Sequence, residues 1–265
     1  MKLITRIDVK TPSVARMYDY LLGGVENYAS DRAACAQLLE LAPSAASVVR
    51  NSRAFLHRAV RLLADEYGVD QFLDFGFGVP TRENVHEIAR GFHPDARVVY
   101  VDTDPLAITH GRTILVEDEH TAVIDADITV IDQLLEHKDI HRLISPHRPT
   151  AALFSSVLHC VPDSGDPRRL IQRVTDHLAP GSFVVLSHLV SDQPAFRDQV
   201  TELMGDLTAG QWGRCRAPHE VDAYLAGMHL LPPGLADVRD WRPDSQLSPR
   251  QDSEEWTSWG GVARA

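Results

Sequence analysis

Residues 73–81 read LDFGFGVPT, and this stretch decides the fold. A short apolar run reaches Asp74 and Phe75, and two glycines at 76 and 78 then flank a phenylalanine. Glycine adopts positive φ and lets a backbone approach a ligand closely. In an open parallel sheet, ligands bind beyond the carboxyl ends of the strands, which is where this loop falls. The motif is short, so a strand–helix turn without a ligand is the alternative.

The pattern around this loop alternates between short apolar runs and amphipathic segments. Apolar runs predicted as strands cover 71–76, 96–102, 121–128, 150–158 and 182–189. Helices are predicted over 81–91 with Thr81 as cap, 104–115 with Asp104 as cap, and 166–180 with Asp166 as cap. Segments 235–241 and 258–265 indicate two late antiparallel strands, and the polar segment 243–255 between them indicates a surface loop. The predicted fold is α/β, with a mostly parallel seven-stranded sheet and helices on both faces.

The first 50 residues follow a different pattern. One helix breaks at Gly23 and Gly24, a second covers about 31–41, and a longer one begins near residue 51. We therefore expect an N-terminal helical cap over residues 1–50 and a Rossmann-like domain over 51–265.

Two classes of ligand compete for the glycine loop. A dinucleotide site prefers a third glycine where Thr81 stands, and a carboxylate such as Asp74 would repel its pyrophosphate. S-adenosylmethionine has no phosphate, and its ammonium group favours a nearby acid. Asp102 lies at the end of the second strand, where it can accept from both ribose hydroxyls, and Asp127 lies at the end of the third, where it can accept from the adenine amino group. These signals together favour S-adenosylmethionine.

The chain resembles an actinobacterial family of S-adenosylmethionine-dependent methyltransferases once catalogued as a domain of unknown function. The most specific stretch is ARMYDYLLGGVENYASDRAA at 15–34, and 71–89, 98–105, 157–163, 180–188, 234–244 and 259–264 match as well. The resemblance implies a class I, Rossmann-like fold and S-adenosylmethionine as the cofactor. It implies no particular acceptor, and Phe77 departs from the small or polar residue usual between the glycines.

The candidate cofactor-binding residues come from the cap and from the ends of four strands. The aromatic side chains of the cap can pack on the sulfonium region by cation–π attraction. The candidates are Tyr18, Tyr20, Gly23, Asn27, Asp74, Gly76, Phe77, Gly78, Asp102, Thr103, Asp104, Asp127, Ile128, Ser155 and Ser156.

His159 follows the fourth strand and is the candidate catalytic residue, either as a general base or as a group that orients the acceptor. A histidine that merely lines the pocket is the alternative.

No metal site is expected. His137 and His141 have the spacing of two ligands on one helix face, but no third ligand is evident. Methyl transfer from a sulfonium needs in-line positioning more than it needs a metal.

Composition restricts the partners. The net charge of −11 disfavours nucleic acid and anionic membranes, and no apolar run is long enough to span a bilayer. Three scattered cysteines argue against a disulfide framework and fit the cytoplasm. We expect a small-molecule acceptor, and the oligomeric state stays open, with a homodimer as one option. A non-catalytic S-adenosylmethionine- or nucleoside-binding protein is the first alternative function, and a nicotinamide-dependent oxidoreductase is a weaker one.

Overall fold

The structure is a computed structural model, and it describes residues 7–81, 83–115, 118–244 and 255–265. A central sheet of eight strands has the order β3-β2-β1-β4-β5-β8-β6, with β7 also paired to β8. The strands are β1 Gln71–Phe75, β2 Arg97–Asp102, β3 Thr121–Asp125, β4 Ala151–Ser155, β5 Phe183–Val190, β6 His229–Leu230, β7 Ala236–Asp237 and β8 Thr257–Arg264. Strands β1 to β5 are parallel, and β8 is antiparallel to β5.

The far edge of the sheet differs in detail from the seven strands expected. Strands β6 and β7 have two residues each, and both pair with β8. Pro232 and Pro233 lie between them, and proline cannot donate to a strand ladder. The outermost strand is therefore interrupted, which adds an eighth strand while the α/β architecture stays as predicted.

Ten helices of the described residues surround the sheet. They are α1 Val14–Leu22, α2 Ala29–Leu41, α3 Ala45–Asp65, α4 Val85–Arg90, α5 Pro105–Ile114, α6 Ile131–Leu135, α7 Lys138–Leu143, α8 Pro167–His177, α9 Pro194–Leu207 and α10 Pro218–Asp222. The C-terminal part of α3, with α4 and α5, packs on one face of the sheet. Helices α6, α7 and α8 pack on the other face. Both faces are thus buried, as a parallel sheet requires.

The cap has a hydrophobic core of its own. Residues of α1, α2, α9 and the first turns of α3 form it, together with Trp212 and Trp256. Helix α3 begins six residues before the expected start at 51, because Ala45, Val48 and Val49 are buried in this core. One continuous helix therefore joins the cap to the sheet, and the division into two domains at residue 50 stays a prediction.

Helix ends explain where several elements stop. Gly23 has φ 85° and closes α1, as the paired glycines predicted. Asp104 and Asp166 cap α5 and α8 with their side chains, as predicted. The prediction that Thr81 caps α4 is wrong: Asn84 is the cap, and Glu87 completes a capping box with it.

Most of the polar segment 243–255 lies outside the described residues. Within the part of the chain that the structure covers, no helix combines the length and the apolar character needed to cross a bilayer.

Candidate functional site

The loop after β1 adopts a conformation that requires glycine at two positions. Gly76 has φ 70° and Gly78 has φ 69°. The N–H of Gly76 donates to the carbonyl oxygen of Val101 over 2.7 Å, which fixes the loop to β2. A Cβ at Gly76 would collide with Val157, whereas a Cβ at Gly78 would meet nothing within 4 Å. The open side at Gly78 leaves room for a ligand against the backbone.

The side chain of Phe77 belongs to the core. It is 9 % exposed and packs edge-on against Tyr100 of β2, with ring centroids 5.3 Å apart. Gly111 of α5 gives it room, since a Cβ there would lie 2.8 Å from the tip of the ring. A bulky residue between the glycines is therefore accommodated on the side of the loop that faces α5.

Two carboxylates, one buried and one half-buried, lie beside the loop. Asp74 is 3 % exposed, and burial raises its pKa to about 7. Asp102 accepts three backbone N–H groups, from Gly78, Thr103 and Asp104, over 2.8–2.9 Å. Burial raises the pKa of Asp102 as well. A carboxylate offers about four acceptor positions, so these bonds leave Asp102 about one for a ribose hydroxyl, fewer than the two expected.

Asp104 joins the cap to the end of β2. Its Oδ1 atom caps α5, and its Oδ2 atom accepts from the hydroxyl of Ser13. The N–H of Ser13 donates to Asp31, which is fully buried and pairs with Arg16 over 2.9 Å. Arg16 also lies 3.9 Å from Asp104. The predicted site residue Asp104 thus serves as the anchor of the cap.

The other candidates near β2 and β3 are more exposed. Thr103 and Asp127 are exposed, and Ile128 is half-buried. Asp127 accepts from the N–H of Thr129 over 2.8 Å and begins a short 3₁₀ turn. All three lie at the carboxyl edge of the sheet, next to Asp102.

A cluster of serines lies at the end of β4. Ser155 and Ser187 are paired across β4 and β5, and their hydroxyls are 3.1 Å apart. The Ser52 hydroxyl lies 2.7 Å from that of Ser156 and 3.1 Å from that of Ser187. Ser156 has φ 55°, a backbone conformation uncommon for residues other than glycine. Ser52 and Ser187 are not marked by any motif, because the contact joins positions more than a hundred residues apart.

The candidates from the cap are divided between two places. Tyr18 lies near the serine cluster, and its hydroxyl donates to the carbonyl of Val49 over 3.3 Å. Tyr20 is 37 % exposed on the surface of α1. Asn27 donates to Asp19 over 2.8 Å and shapes the turn that follows Gly23. The structure brings Tyr18 toward the strand ends. It places Gly23 and Asn27 in the turn after α1, and Tyr20 on the surface of the cap.

His159 lines a cavity beneath the cap. The cavity has a volume of about 40 Å³, and Tyr18, Ser52 and Ser156 are among its lining residues, although the surface presented to the cavity is apolar. Its remaining lining residues are Val14, Met17, Leu21, Leu38, Ala45, Val48, Val49, Leu189, Met204, Trp212 and Trp256. The lining therefore contains no charged side chain of the described residues.

Two residues of this lining have a buried polar atom without a hydrogen-bond partner within the described residues: His159 at Nδ1 and Trp212 at Nε1. Both side chains are at least nine-tenths buried, and their rings lie 4.7 Å apart. Burial, with the nearby charge of Arg216, lowers the pKa of His159 to about 3. The imidazole is therefore neutral near pH 7.

Arg216 holds the segment that carries His159. Its guanidinium, 1 % exposed, donates to the carbonyls of Leu158 and Val161 over 3.1 and 2.9 Å. It also pairs with Asp163 over 2.8 Å and lies 3.1 Å from Nε2 of His188. No motif marks Arg216, because its partners come from other parts of the chain.

Arg53 of α3 reaches the glycine loop, although no motif marks it either. Its Nη2 atom donates to the hydroxyl of Thr81 over 2.7 Å. Its charge opposes the effect of burial on the pKa of Asp74.

Metal binding finds no support among the described residues, since no three histidine, cysteine or acidic side chains group together. His137 caps α7 and accepts from the N–H of Asp139, while His141 lies 3.4 Å from Glu136.

The structure resembles solved methyltransferase structures. A candidate methyltransferase from Thermobifida fusca YX is 37 % identical, with 97 % of this chain and 96 % of that chain covered and a TM-score of 0.89. A DUF574 family protein from Streptomyces avermitilis MA-4680 is 31 % identical, with 98 % and 99 % covered and a TM-score of 0.90. The methyltransferase CalH, in complex with S-adenosylhomocysteine, shares the fold at 16 % identity, with 83 % and 59 % covered and a TM-score of 0.51. No curated protein matches the chain.

The model of the S-adenosyl methyltransferase family matches residues 2–265, nearly the whole chain. The resemblance seen in the sequence, the class I fold and S-adenosylmethionine as cofactor are confirmed together. A nicotinamide-dependent oxidoreductase and a protein that only binds the cofactor are both set aside. The chain belongs to the S-adenosyl methyltransferase family and is an S-adenosylmethionine-dependent methyltransferase.

Proposed function

We propose that the acceptor is a small, uncharged and mostly apolar molecule with one hydroxyl or amino group, bound beneath the N-terminal cap. The observation that carries this proposal is the apolar lining of the cavity, two of whose residues, His159 and Trp212, have a buried polar atom without a partner, Nδ1 and Nε1. Leaving buried polar groups without partners is costly, so a ligand that pairs with them binds favourably. A charged acceptor would lose its hydration and find no opposite charge there.

Cofactor and acceptor would meet at the carboxyl edge of the sheet. The cofactor supplies a methyl group on a sulfonium. The glycine loop, with Asp74 and Asp102, would hold it beside β1 and β2. Ser156 follows β4, the neighbour of β1, and also lines the cavity. The two sites therefore adjoin, and Tyr18 of the cap lies near their boundary.

The residues around the acceptor would work by positioning and by excluding water. With S-adenosylmethionine bound, a lone pair of the acceptor would form the bond to the methyl carbon as the carbon–sulfur bond broke, and sulfur would keep its electron pair. A methylated oxygen that still carries its proton is a strong acid. His159 Nδ1 is therefore basic enough to receive that proton even with a pKa of about 3. This route needs no metal, and the free cysteines fit a reaction in the cytoplasm.

The cavity as it stands is too small for such a molecule. A volume of about 40 Å³ suits little more than one water, whereas small-molecule pockets usually measure about 300–1,000 Å³. We infer that α1 moves aside when the acceptor binds, with the turn at Gly23 and Gly24 as the hinge.

A labelled-methyl assay tests the proposal. The protein is incubated with methyl-labelled S-adenosylmethionine and cell extract, and the products are separated by size and by charge at pH 7. We expect label in uncharged small molecules, and we expect His159→Phe to abolish its transfer while Arg61→Gln, an exposed change on α3, does not. Label only in protein, nucleic acid or charged metabolites would overturn the proposal.

A further inference from the structure

We infer that Arg53 binds the carboxylate of the methionine end of S-adenosylmethionine, while Asp74 faces its ammonium group. This inference rests on the proposed placement of the cofactor at the glycine loop. It adds a residue that fixes the orientation of the amino-acid end and discriminates between cofactors with and without a carboxylate.

The guanidinium of Arg53 has a hydrogen-bond donor that no described residue uses. Its Nε atom is buried and has no hydrogen-bond partner within the described residues. Those residues also include no carboxylate at ion-pair distance from its guanidinium. A partly buried cation without an anion is unfavourable, because desolvation is not offset by attraction. An anionic ligand group would remove this penalty.

The neighbouring arginines of α3 show that this situation is particular to Arg53. Arg58 is buried and donates to the carbonyls of Trp241 and Val238 over 3.1 and 2.6 Å. Arg61 pairs with Asp244 over 3.1 Å and is 45 % exposed. Arg53 instead donates to Thr81, a neutral hydroxyl at the far end of the glycine loop.

The charges at the glycine loop are opposite in sign to those of the amino-acid end of the cofactor. The amino-acid end of the cofactor carries one carboxylate and one ammonium group. The loop has one cation, Arg53, and two acids, the buried Asp74 and the half-buried Asp102, and Asp102 already accepts three backbone N–H groups. The planar guanidinium fits a carboxylate with two parallel hydrogen bonds, which lysine cannot reproduce. The signs of the charges on the two sides are therefore complementary.

Binding calorimetry with two ligands tests the inference. The ligands are S-adenosylmethionine and decarboxylated S-adenosylmethionine, which keeps the ammonium and the nucleoside but lacks the carboxylate. We expect the wild-type protein to prefer the first ligand, and Arg53→Gln to weaken its binding about 10- to 100-fold, as expected for the loss of a charged hydrogen bond. Binding of the decarboxylated ligand should change less than about threefold, because no charged bond to it is lost.

Controls separate this role from a structural one. Arg61→Gln, on the same helix, should leave both affinities unchanged, and Arg53→Lys should keep part of the preference. For one variant, the ratio of the affinities for the two ligands is unaffected by a general loss of folded protein, because both ligands bind the same folded fraction. An equal loss of both affinities in Arg53→Gln, or no preference in the wild type, would overturn the inference and leave the cofactor site standing. Binding of neither ligand to the wild type would overturn both.

Discussion

The backbone N–H of Gly78 donates a 2.8 Å hydrogen bond to Oδ2 of Asp102, which ties the glycine loop to the end of β2. The other oxygen of that carboxylate accepts the N–H groups of Thr103 and Asp104. One side chain therefore fixes two loops that would border the nucleoside. The same acid can serve the cofactor only through the acceptor capacity that these bonds leave free.

Asp102→Asn tests this double role. Asparagine keeps one oxygen and places an amide N–H₂ where an acceptor is needed, so at least one backbone N–H loses its partner. We expect the variant to be less stable by about 1–3 kcal/mol, and to bind the cofactor more weakly by about the same amount. Denaturant unfolding and calorimetry measure the two effects. Asp132→Asn, an exposed acid on α6, is the control, and unchanged values for Asp102→Asn would contradict this role.

The two loop glycines should respond differently to alanine. Both have positive φ, which costs an alanine about 1–2 kcal/mol. Only at Gly76 does the added Cβ also collide with Val157. Gly76→Ala should therefore lose clearly more stability in urea unfolding than Gly78→Ala. Val157→Ala, combined with Gly76→Ala, should recover part of the difference, and equal losses for the two single variants would count against this account.

Phe77→Leu addresses the bulky residue in the loop. The ring is buried against Tyr100 and Gly111, so the change should lower the melting temperature through lost packing. The affinity for S-adenosylmethionine, measured with excess cofactor well below the melting temperature, should stay within about threefold, because only the backbone of this residue faces the ligand side. A large loss of affinity with unchanged stability would show that the side chain contacts the cofactor.

His159 should make the protein sensitive to acid. Its pKa is about 3 in the folded state and near 6.5 when exposed, so between these values the unfolded chain binds a proton that the folded chain does not. Stability therefore falls as the pH drops from about 6.5 to about 3. His159→Gln should remove this contribution, which amounts to a few kcal/mol at most. Urea unfolding as a function of pH measures it, with the exposed His229→Gln as control. If His159→Gln and wild type lose stability in parallel, the buried neutral state of His159 is wrong.

Local sequence patterns were sufficient to predict most of the fold. Strands β1 to β5 are short apolar runs, and Asp104 and Asp166 precede their helices as side-chain caps do, so each element carries its own signal. Thr81 and Asn84 are both ordinary caps, and Glu87 three residues after Asn84 was the signal that could have decided between them. The early start of α3 was missed because its first turns are buried by a core that includes α9, far along the chain.

The candidate site was predictable only where it follows strand ends. Asp74 and Asp102 are found by their place at the end of a strand, and Ser156 by its place just after one. Arg53 and Arg216 are not, because each acts on a segment that folding brings to it, Thr81 in one case and Leu158 in the other. Tyr20 shows the converse, since the same helical spacing that places Tyr18 near the strand ends leaves Tyr20 at the surface.

The uninterrupted helix α3 connects the cavity beneath the cap with the glycine loop. Val48, Val49 and Ser52 line the acceptor cavity, and Arg53, the next residue, reaches the glycine loop. From Val48 to Arg53 the helix rises only ~7.5 Å, too short a distance for either end to shift alone. Any tilt of this segment would therefore also displace the guanidinium. The wall of the cavity and the cation proposed to bind the cofactor are carried by one short stretch of helix.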